Sequence, residues 1–284
     1  MTSTALEFAD VLSSETLGRL ERELERLRSV TPGNRVIAVA NQKGGAGKTT
    51  TASTLGAVWA AWGLRVRLVD ADPQLGSLSF WLPPQRVAPD LRAVYFDEAT
   101  LDQATVETSV PGLFLVASDK TLGQVEYANL ADANLAMRSA IRESTPVDIT
   151  LLDCRPSLGV LTVSQLAAAD EILIPLGASG LDLPGLMELA ETLETVKRRL
   201  NPGLRVSAVV VCHDSETKLS RKVRNQLEED YPDAIHWRIR RSVRVEEAPF
   251  AHEPLTTFAP DVPATQEYIR LAAELLLRGS VVTA

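Results

Sequence analysis

The residues best suited to chemistry lie in three short runs, each rich in groups that handle phosphate or a divalent cation. The first is Lys43-Gly44-Gly45-Ala46-Gly47-Lys48-Thr49-Thr50. Glycine-rich backbone can turn its N–H groups inward around phosphate oxygens. A helix starting behind it adds partial positive charge. Lys48 supplies a full charge for β and γ phosphates, and Thr49 a hydroxyl for Mg2+. The second and third runs, Val69-Asp70-Ala71-Asp72-Pro73-Gln74 and Ile149–Gly159, place Asp70, Asp72 and Asp153 at or just past the ends of apolar stretches. An aspartate at the C-terminal end of a strand in an open α/β sheet faces the ligand crevice. The plainer alternative for each is a capping or turn aspartate. The histidines His213, His236 and His252 have no spacing for a metal site or a Ser-His-Asp arrangement, and read as structural or surface groups.

The phosphate loop departs from the standard G-x-x-x-x-G-K-[ST] pattern. Gln42 stands where its first glycine belongs, and a second lysine, Lys43, opens the loop.

Elements that could position these runs follow from periodicity. Leu17, Leu20, Leu24 and Leu27 form one apolar stripe, which predicts a helix over about Ala5–Val30. Such a helix packs on its own domain or meets a partner. Thr31-Pro32-Gly33-Asn34 breaks the chain after it. Short apolar runs predict strands at Arg35–Ala40, Arg65–Asp70, Leu113–Ala117, Ile149–Asp153, Glu171–Leu176 and Val206–Val211. Helical patterns lie between or after them at Lys48–Trp62, Asn134–Glu143, Val160–Ala168, Leu183–Leu200, Leu219–Glu229 and Ala264–Leu277. The alternation predicts an α/β fold, a doubly wound and mostly parallel sheet with helices on both faces. The expected organisation is an N-terminal helical extension over 1–32 and one nucleotide-binding domain over 33–284.

The 284 residues suffice for such a domain, with 45 % hydrophobic and 23 % charged residues. A net charge of −8 argues against a wholly basic nucleic-acid coat but leaves room for a local basic patch. Cys154 and Cys212 sit in apolar surroundings, as reduced structural thiols would. The N-terminus has no signal-peptide pattern, and no apolar run approaches the roughly 20 residues that span a bilayer. A cytoplasmic protein is expected.

Together the three runs resemble the deviant Walker A ATPases of the ParA/MinD class, also called SIMIBI P-loop NTPases, from Arg35 to nearly the C-terminus. The order K-G-G-x-G-K-T-T, then V-D-A-D-P-Q, then L-L-D-C-R-P-S-L-G followed by A-A-A-D-E-I-L-I-P is that of a ParA-type partition ATPase. The resemblance implies that ATP and Mg2+ are bound and that ATP is hydrolysed. It gives Lys43 the role of a signature lysine that reaches the partner's ATP across a sandwich homodimer. Lys48 is the in-cis phosphate lysine. Asp72 positions or activates the attacking water. Asp153 and Asp72 hold Mg2+ through water, with Thr49, and Asp70 stands nearby as a helper. Two departures stand out. Arg155 replaces the first proline of Pro-Pro-Ser after Asp153, and Leu75-Gly76-Ser77 follows Gln74 in place of Gly-Asn. Val211-Cys212-His213 also differs from the strand end that lies near adenine in relatives.

Two basic clusters stand out in an otherwise acidic chain: Lys218, Arg221, Lys222 and Arg224, then Arg238, Arg240, Arg241 and Arg244. Solvated surface charge is the plain reading. The resemblance implies non-specific DNA contact by the ATP dimer, here through Lys218, Arg221, Lys222 and Arg244. R-S-V-R-V-E-E-A-P resembles a stretch that borders the nucleotide, which assigns Arg240 and Arg241 to ATP. No helix-turn-helix pattern suggests operator binding. The implied function is DNA partition, with hydrolysis stimulated by a ParB-like centromere-binding partner. One alternative is a MinD-like membrane-surface ATPase, which needs a basic amphipathic C-terminal helix. Another is a metabolic or metallocluster ATPase, for which no C-x-x-C is present.

Overall fold

The computed structural model describes residues 6–30, 33–74, 77–128, 130–177, 183–214 and 217–279. The Thr31-Pro32 break, the Leu75-Gly76 departure and the ends of the chain lie outside them.

The described chain runs α1 (Ser14–Ser29), β1 (Arg35–Val39), α2 (Lys48–Ala61), β2 (Val66–Ala71), α3 (Leu78–Trp81), α4 (Leu91–Tyr95), α5 (Leu101–Ala104), β3 (Thr105–Glu107), β4 (Leu113–Val116), α6 (Ala136–Glu143), β5 (Ile149–Cys154), α7 (Val160–Ala168), β6 (Glu171–Gly177), α8 (Leu183–Arg199), β7 (Arg205–Asp214), α9 (Lys218–Asp230), β8 (Ile235–Arg240), α10 (Val243–Ala251), α11 (Leu255–Phe258) and α12 (Pro263–Gly279). The strands form one eight-stranded sheet in the order β3-β4-β2-β5-β1-β6-β7-β8. Only β3, against β4, is antiparallel among the described pairs. Parallel strands covered on both faces read as continuous apolar runs. The alternation of Cβ directions then divides each strand between two cores. Ile37 and Val39 enter one core, with α2 and α12, while Val36, Ala38 and Ala40 enter the other, with α6, α7 and α8.

The six strands expected from the sequence are present. Two more, β3 and β8, line the edges of the sheet. β8 reads Ile-His-Trp-Arg-Ile-Arg, and its half-buried middle hides the apolar signal.

The N-terminal helix is stitched into the first core. Leu20 and Leu24 are fully buried and Leu27 packs beside them. Ser13 caps the helix by accepting the Thr16 amide at 3.2 Å. The Trp62 indole donates to the Glu7 carbonyl at 2.9 Å, and Arg28 donates to the Trp62 carbonyl at 2.9 Å. At the other end of the chain α12 buries Tyr268, Ile269, Leu271, Ala272 and Leu275 in the same core. Its apolar face is therefore used inside the fold. Among the described residues no helix is long and apolar enough to cross a membrane.

The topology puts β1 between β5 and β6. The chain leaves β1 toward β2 on one side and returns past it to β6 on the other. Ligands of open α/β sheets bind at such a switch point, beyond the C-terminal strand ends.

Candidate active site

The loop between β1 and α2 is pinned before it meets any ligand. The Asn41 amide donates to the Pro175 carbonyl at 2.7 Å, and its oxygen accepts the Lys43 amide at 3.1 Å. Gly47 takes the left-handed conformation at φ 92°, and a Cβ there would lie 2.9 Å from the Cys212 sulfur. Glycine is thus required twice, for backbone angle and for space. Cys212 and Cys154 are both free and buried, as expected. Burial raises both thiols, Cys212 to about 11, so neither is a ready nucleophile.

Lys48 is 6 % exposed, and its ammonium donates to the Lys43 carbonyl at 3.0 Å, closing the loop into a ring. Burial lowers its pKa, against the opposing pull of Asp153 and Asp72. A desolvated ammonium held beside carboxylates is primed for a stronger anion. Lys43 itself is exposed at the loop's start.

Thr49 donates its hydroxyl to Asp153 Oδ2 at 2.7 Å. Asp153 Oδ1 is buried with no hydrogen-bond partner. Burial, then the charge of Asp70, pushes the Asp153 pKa well above the carboxylate range, with Thr49 and Lys48 opposing. An orphaned buried carboxylate oxygen is costly and asks for a cation. Among the described residues no group of three or more His, Cys, Asp or Glu side chains forms a metal cage. A cation here would share its shell with phosphate and water, which suits Mg2+.

Asp72 lines the same cavity and accepts the Gln74 amide at 3.1 Å. Burial raises its pKa too, with the Gln74 amide, Lys48 and Arg155 opposing. Asp70 lies deeper and is fully buried. It accepts both Ser77 and Ser79 hydroxyls, the Ser79 amide at 2.8 Å and the Asp72 amide at 3.2 Å. Those bonds make Asp70 the organiser of the segment that carries Asp72, rather than an open helper for a metal.

The cavity holds about 440 Å3. Besides Gly44–Thr50 and Asp72 it is lined by Gln74, Ser77, Pro156, His213, Val245, Glu246 and Pro249. His213, read from the sequence as structural or surface, is at its wall with φ 54°. A non-glycine residue at positive φ is the backbone signal that could have marked it, but sequence carries no φ. Arg240 is placed elsewhere. Its guanidinium and amide are committed to Glu267 of α12, at 2.5 and 2.7 Å, and it does not line the cavity. From that basic stretch Arg241 lies 3.6 Å from the lining residue Glu246.

The basic clusters divide similarly. Lys218, Arg221 and Lys222 are exposed on α9 and make no ion pair with a described residue. Arg224 is taken by the buried Asp214 at 2.5 Å. Arg244 pairs with Glu247 at 2.8 Å and stacks on Phe258 at 4.2 Å.

Comparison with known proteins adds an independent line. A family model described as AAA domain matches residues 34–206. Chromosome partitioning protein ParA of Caulobacter vibrioides is 39 % identical over 253 residues, covering 86 % of this chain and 94 % of that protein. Chromosome-partitioning ATPase Soj of Thermus thermophilus is 38 % identical over 246 residues, covering 86 % and 96 %. Among solved structures, a cobyrinic acid a,c-diamide synthase of Mycobacterium smegmatis with bound ADP and magnesium superposes with a TM-score of 0.74 at 29 % identity, covering 87 % and 96 %.

Proposed function

The chain belongs to the ParA/Soj family of P-loop partition ATPases, and from that premise we propose that it is an ATP-driven DNA-partition switch. ATP closes a homodimer, the dimer binds DNA without sequence preference, and hydrolysis stimulated by a ParB-like partner releases it. The observation that carries the reading is Asp153. Its one oxygen holds the Thr49 hydroxyl, its other is orphaned, and the buried Lys48 ammonium lies close by.

In this reading the N–H groups of Gly44–Thr50 cradle the phosphates, and Lys48 exchanges the Lys43 carbonyl for β- and γ-phosphate oxygens. Thr49, with Asp153 and Asp72 through water, would hold Mg2+, which would neutralise charge on the phosphate oxygens. Asp72, a carboxylate with a raised pKa, orients water for in-line attack on the γ-phosphorus while the bond to the ADP oxygen breaks. Lys43, exposed at the loop mouth, serves the partner's ATP, so that hydrolysis waits for dimerisation. The DNA face is the exposed row Lys218, Arg221 and Lys222 on α9. Arg244 belongs to it less, because its charge is already engaged. The working place is the cytoplasm, on the nucleoid.

The name of the cobyrinic acid synthase shows that this fold also serves metabolism, but the nearer identities, 39 % and 38 %, are to partition proteins. A membrane-surface role would need the apolar face of α12, which the core already uses.

The test is binding to random-sequence duplex DNA with ATP, ADP or no nucleotide, over a salt series, for the native chain and Lys43→Ala. ATP-dependent binding that weakens steeply with salt and vanishes in the variant supports the reading. Hydrolysis without any DNA binding overturns it and turns attention to a protein cargo.

A further inference from the structure

Behind the phosphate cavity, one carboxylate holds three groups of the segment that follows Asp153. Glu126 ends a 3-10 turn at Lys120–Glu126. Its Oε2 accepts the Val160 amide at 2.8 Å, and its Oε1 accepts the Leu161 amide at 3.3 Å. These are the first two N–H groups of α7, which need such a partner. The same Oε1 accepts Nη1 of Arg155 at 3.0 Å. Loop 155–159 is therefore tied at both ends to a single side chain.

Gly159 makes this possible. Its φ of −79° suits any residue, so the constraint is space alone. A Cβ at position 159 would lie 2.3 Å from Glu126 Oε2.

Both partners are largely shielded, Arg155 at 21 % and Glu126 at 15 % side-chain exposure. Arg155 keeps its Nε buried without a partner. The next residue, Pro156, lines the phosphate cavity. The guanidinium thus contacts one carboxylate, Glu126, and its charge also reaches a second, Asp72. The wall of the cavity is clamped from outside it.

We infer that Glu126 and Arg155 are positioning residues for hydrolysis: the pair clamps loop 155–159 so that Asp153 and Pro156 hold their places. Neither residue lines the cavity, so each acts through its neighbours. Geometry held by a supporting shell affects the reacting arrangement more than ground-state binding. This rests on the ATPase reading above.

The experiment is steady-state ATP hydrolysis with Mg2+ by the full chain and its variants Arg155→Met, Arg155→Lys and Glu126→Gln, and the double variant, with amide exchange at Val160 and Leu161. Arg155→Met leaves the cap on α7 intact, so it isolates the cation from the fold. Arg155→Met and Glu126→Gln should each lower kcat about tenfold with KM for ATP within about twofold, a loss confined to the transition state. Arg155→Lys should recover most of the rate. The double variant should be no worse than the worse single, as for two parts of one unit. The amides of Val160 and Leu161 should exchange faster in Glu126→Gln and unchanged in Arg155→Met. An unchanged kcat in Arg155→Met, multiplying effects in the double variant, or unaltered exchange in Glu126→Gln would overturn the clamp. If the native chain hydrolyses no ATP, the ATPase reading fails, while the exchange comparison still decides whether Glu126 holds the loop.

Discussion

Asp153 and Glu171 are two buried carboxylates on the two strands that flank β1, at opposite ends of the sheet. Asp153 is fully buried near the C-terminal end of β5; Glu171 is 1 % exposed at the start of β6. The fold treats them in opposite ways. Burial pushes Glu171 up, but Arg35 with bonds of 2.8 and 2.7 Å and Arg205 at 2.5 Å outweigh it, so its pKa falls below the ordinary value. Asp153 has one threonine hydroxyl and one orphaned oxygen, and its pKa rises well above the ordinary value. A carboxylate whose acceptors are filled is part of the scaffold. One left wanting a cation inside a packed sheet is retained for what it binds.

The largest expected effect is at the centre of the unsatisfied end. Lys48→Ala removes the charge meant for the phosphates, and phosphate release should fall on the order of 10³-fold, with the fold intact by circular dichroism. Asp153→Asn comes next. Hydrolysis should drop on the order of 10²-fold and lose its response to Mg2+, while thermal stability holds or rises. If the melting temperature falls instead, Asp153 is scaffold like Glu171 and the contrast breaks.

Glu171→Gln should do the reverse. Two partly exposed arginines lose the charge of their buried partner, which costs about 3 kcal/mol in urea unfolding, with kcat unchanged. The pH dependence sharpens the point because the two signs differ. Glu171 has a depressed folded pKa, so its stabilisation is present above the unfolded value near 4.5 and is lost as pH falls through the folded one. Asp153 has a raised folded pKa. Its favourable contribution is present below the unfolded value near 3.8 and is lost as pH rises through the folded one. Glu171→Gln should therefore flatten the acid-side loss of stability, and Asp153→Asn should remove a decline toward neutral pH. Urea titrations between acidic and neutral pH measure both.

What the sequence made legible was local. The phosphate loop spans eight adjacent residues, and the central strands are unbroken apolar runs, so composition and spacing suffice. Pairing across the fold was not legible. Arg155 and Glu126 lie 29 positions apart, and nothing in either neighbourhood announces the other. Arg224 looked like part of a basic strip, yet Asp214 holds it. Arg240 looked like a nucleotide contact, yet Glu267 lies 27 positions on and takes it. The strand β8 was hidden by its own arginines, and His213 by a backbone angle that only a folded chain reveals. Charge can be counted in a sequence, but its commitment depends on distant partners.

The same distinction between filled and unfilled charges gives the smallest expected effect, on the basic residues. Arg221→Ala should weaken ATP-dependent DNA binding and reduce the slope of log affinity against log salt by about 0.9, one phosphate contact. Lys218 and Lys222 should behave alike, since all three are exposed on α9. Arg244→Ala should leave the slope unchanged, because that guanidinium already has Glu247 and the Phe258 ring. Its loss should register only as about 0.5 kcal/mol of stability, the scale of an exposed cation–π contact. Fluorescence anisotropy over a salt series separates the two residues. Equal slopes for Arg221→Ala and Arg244→Ala would mean that an engaged cation can be recruited to DNA, and that commitment within the fold does not mark function on this surface.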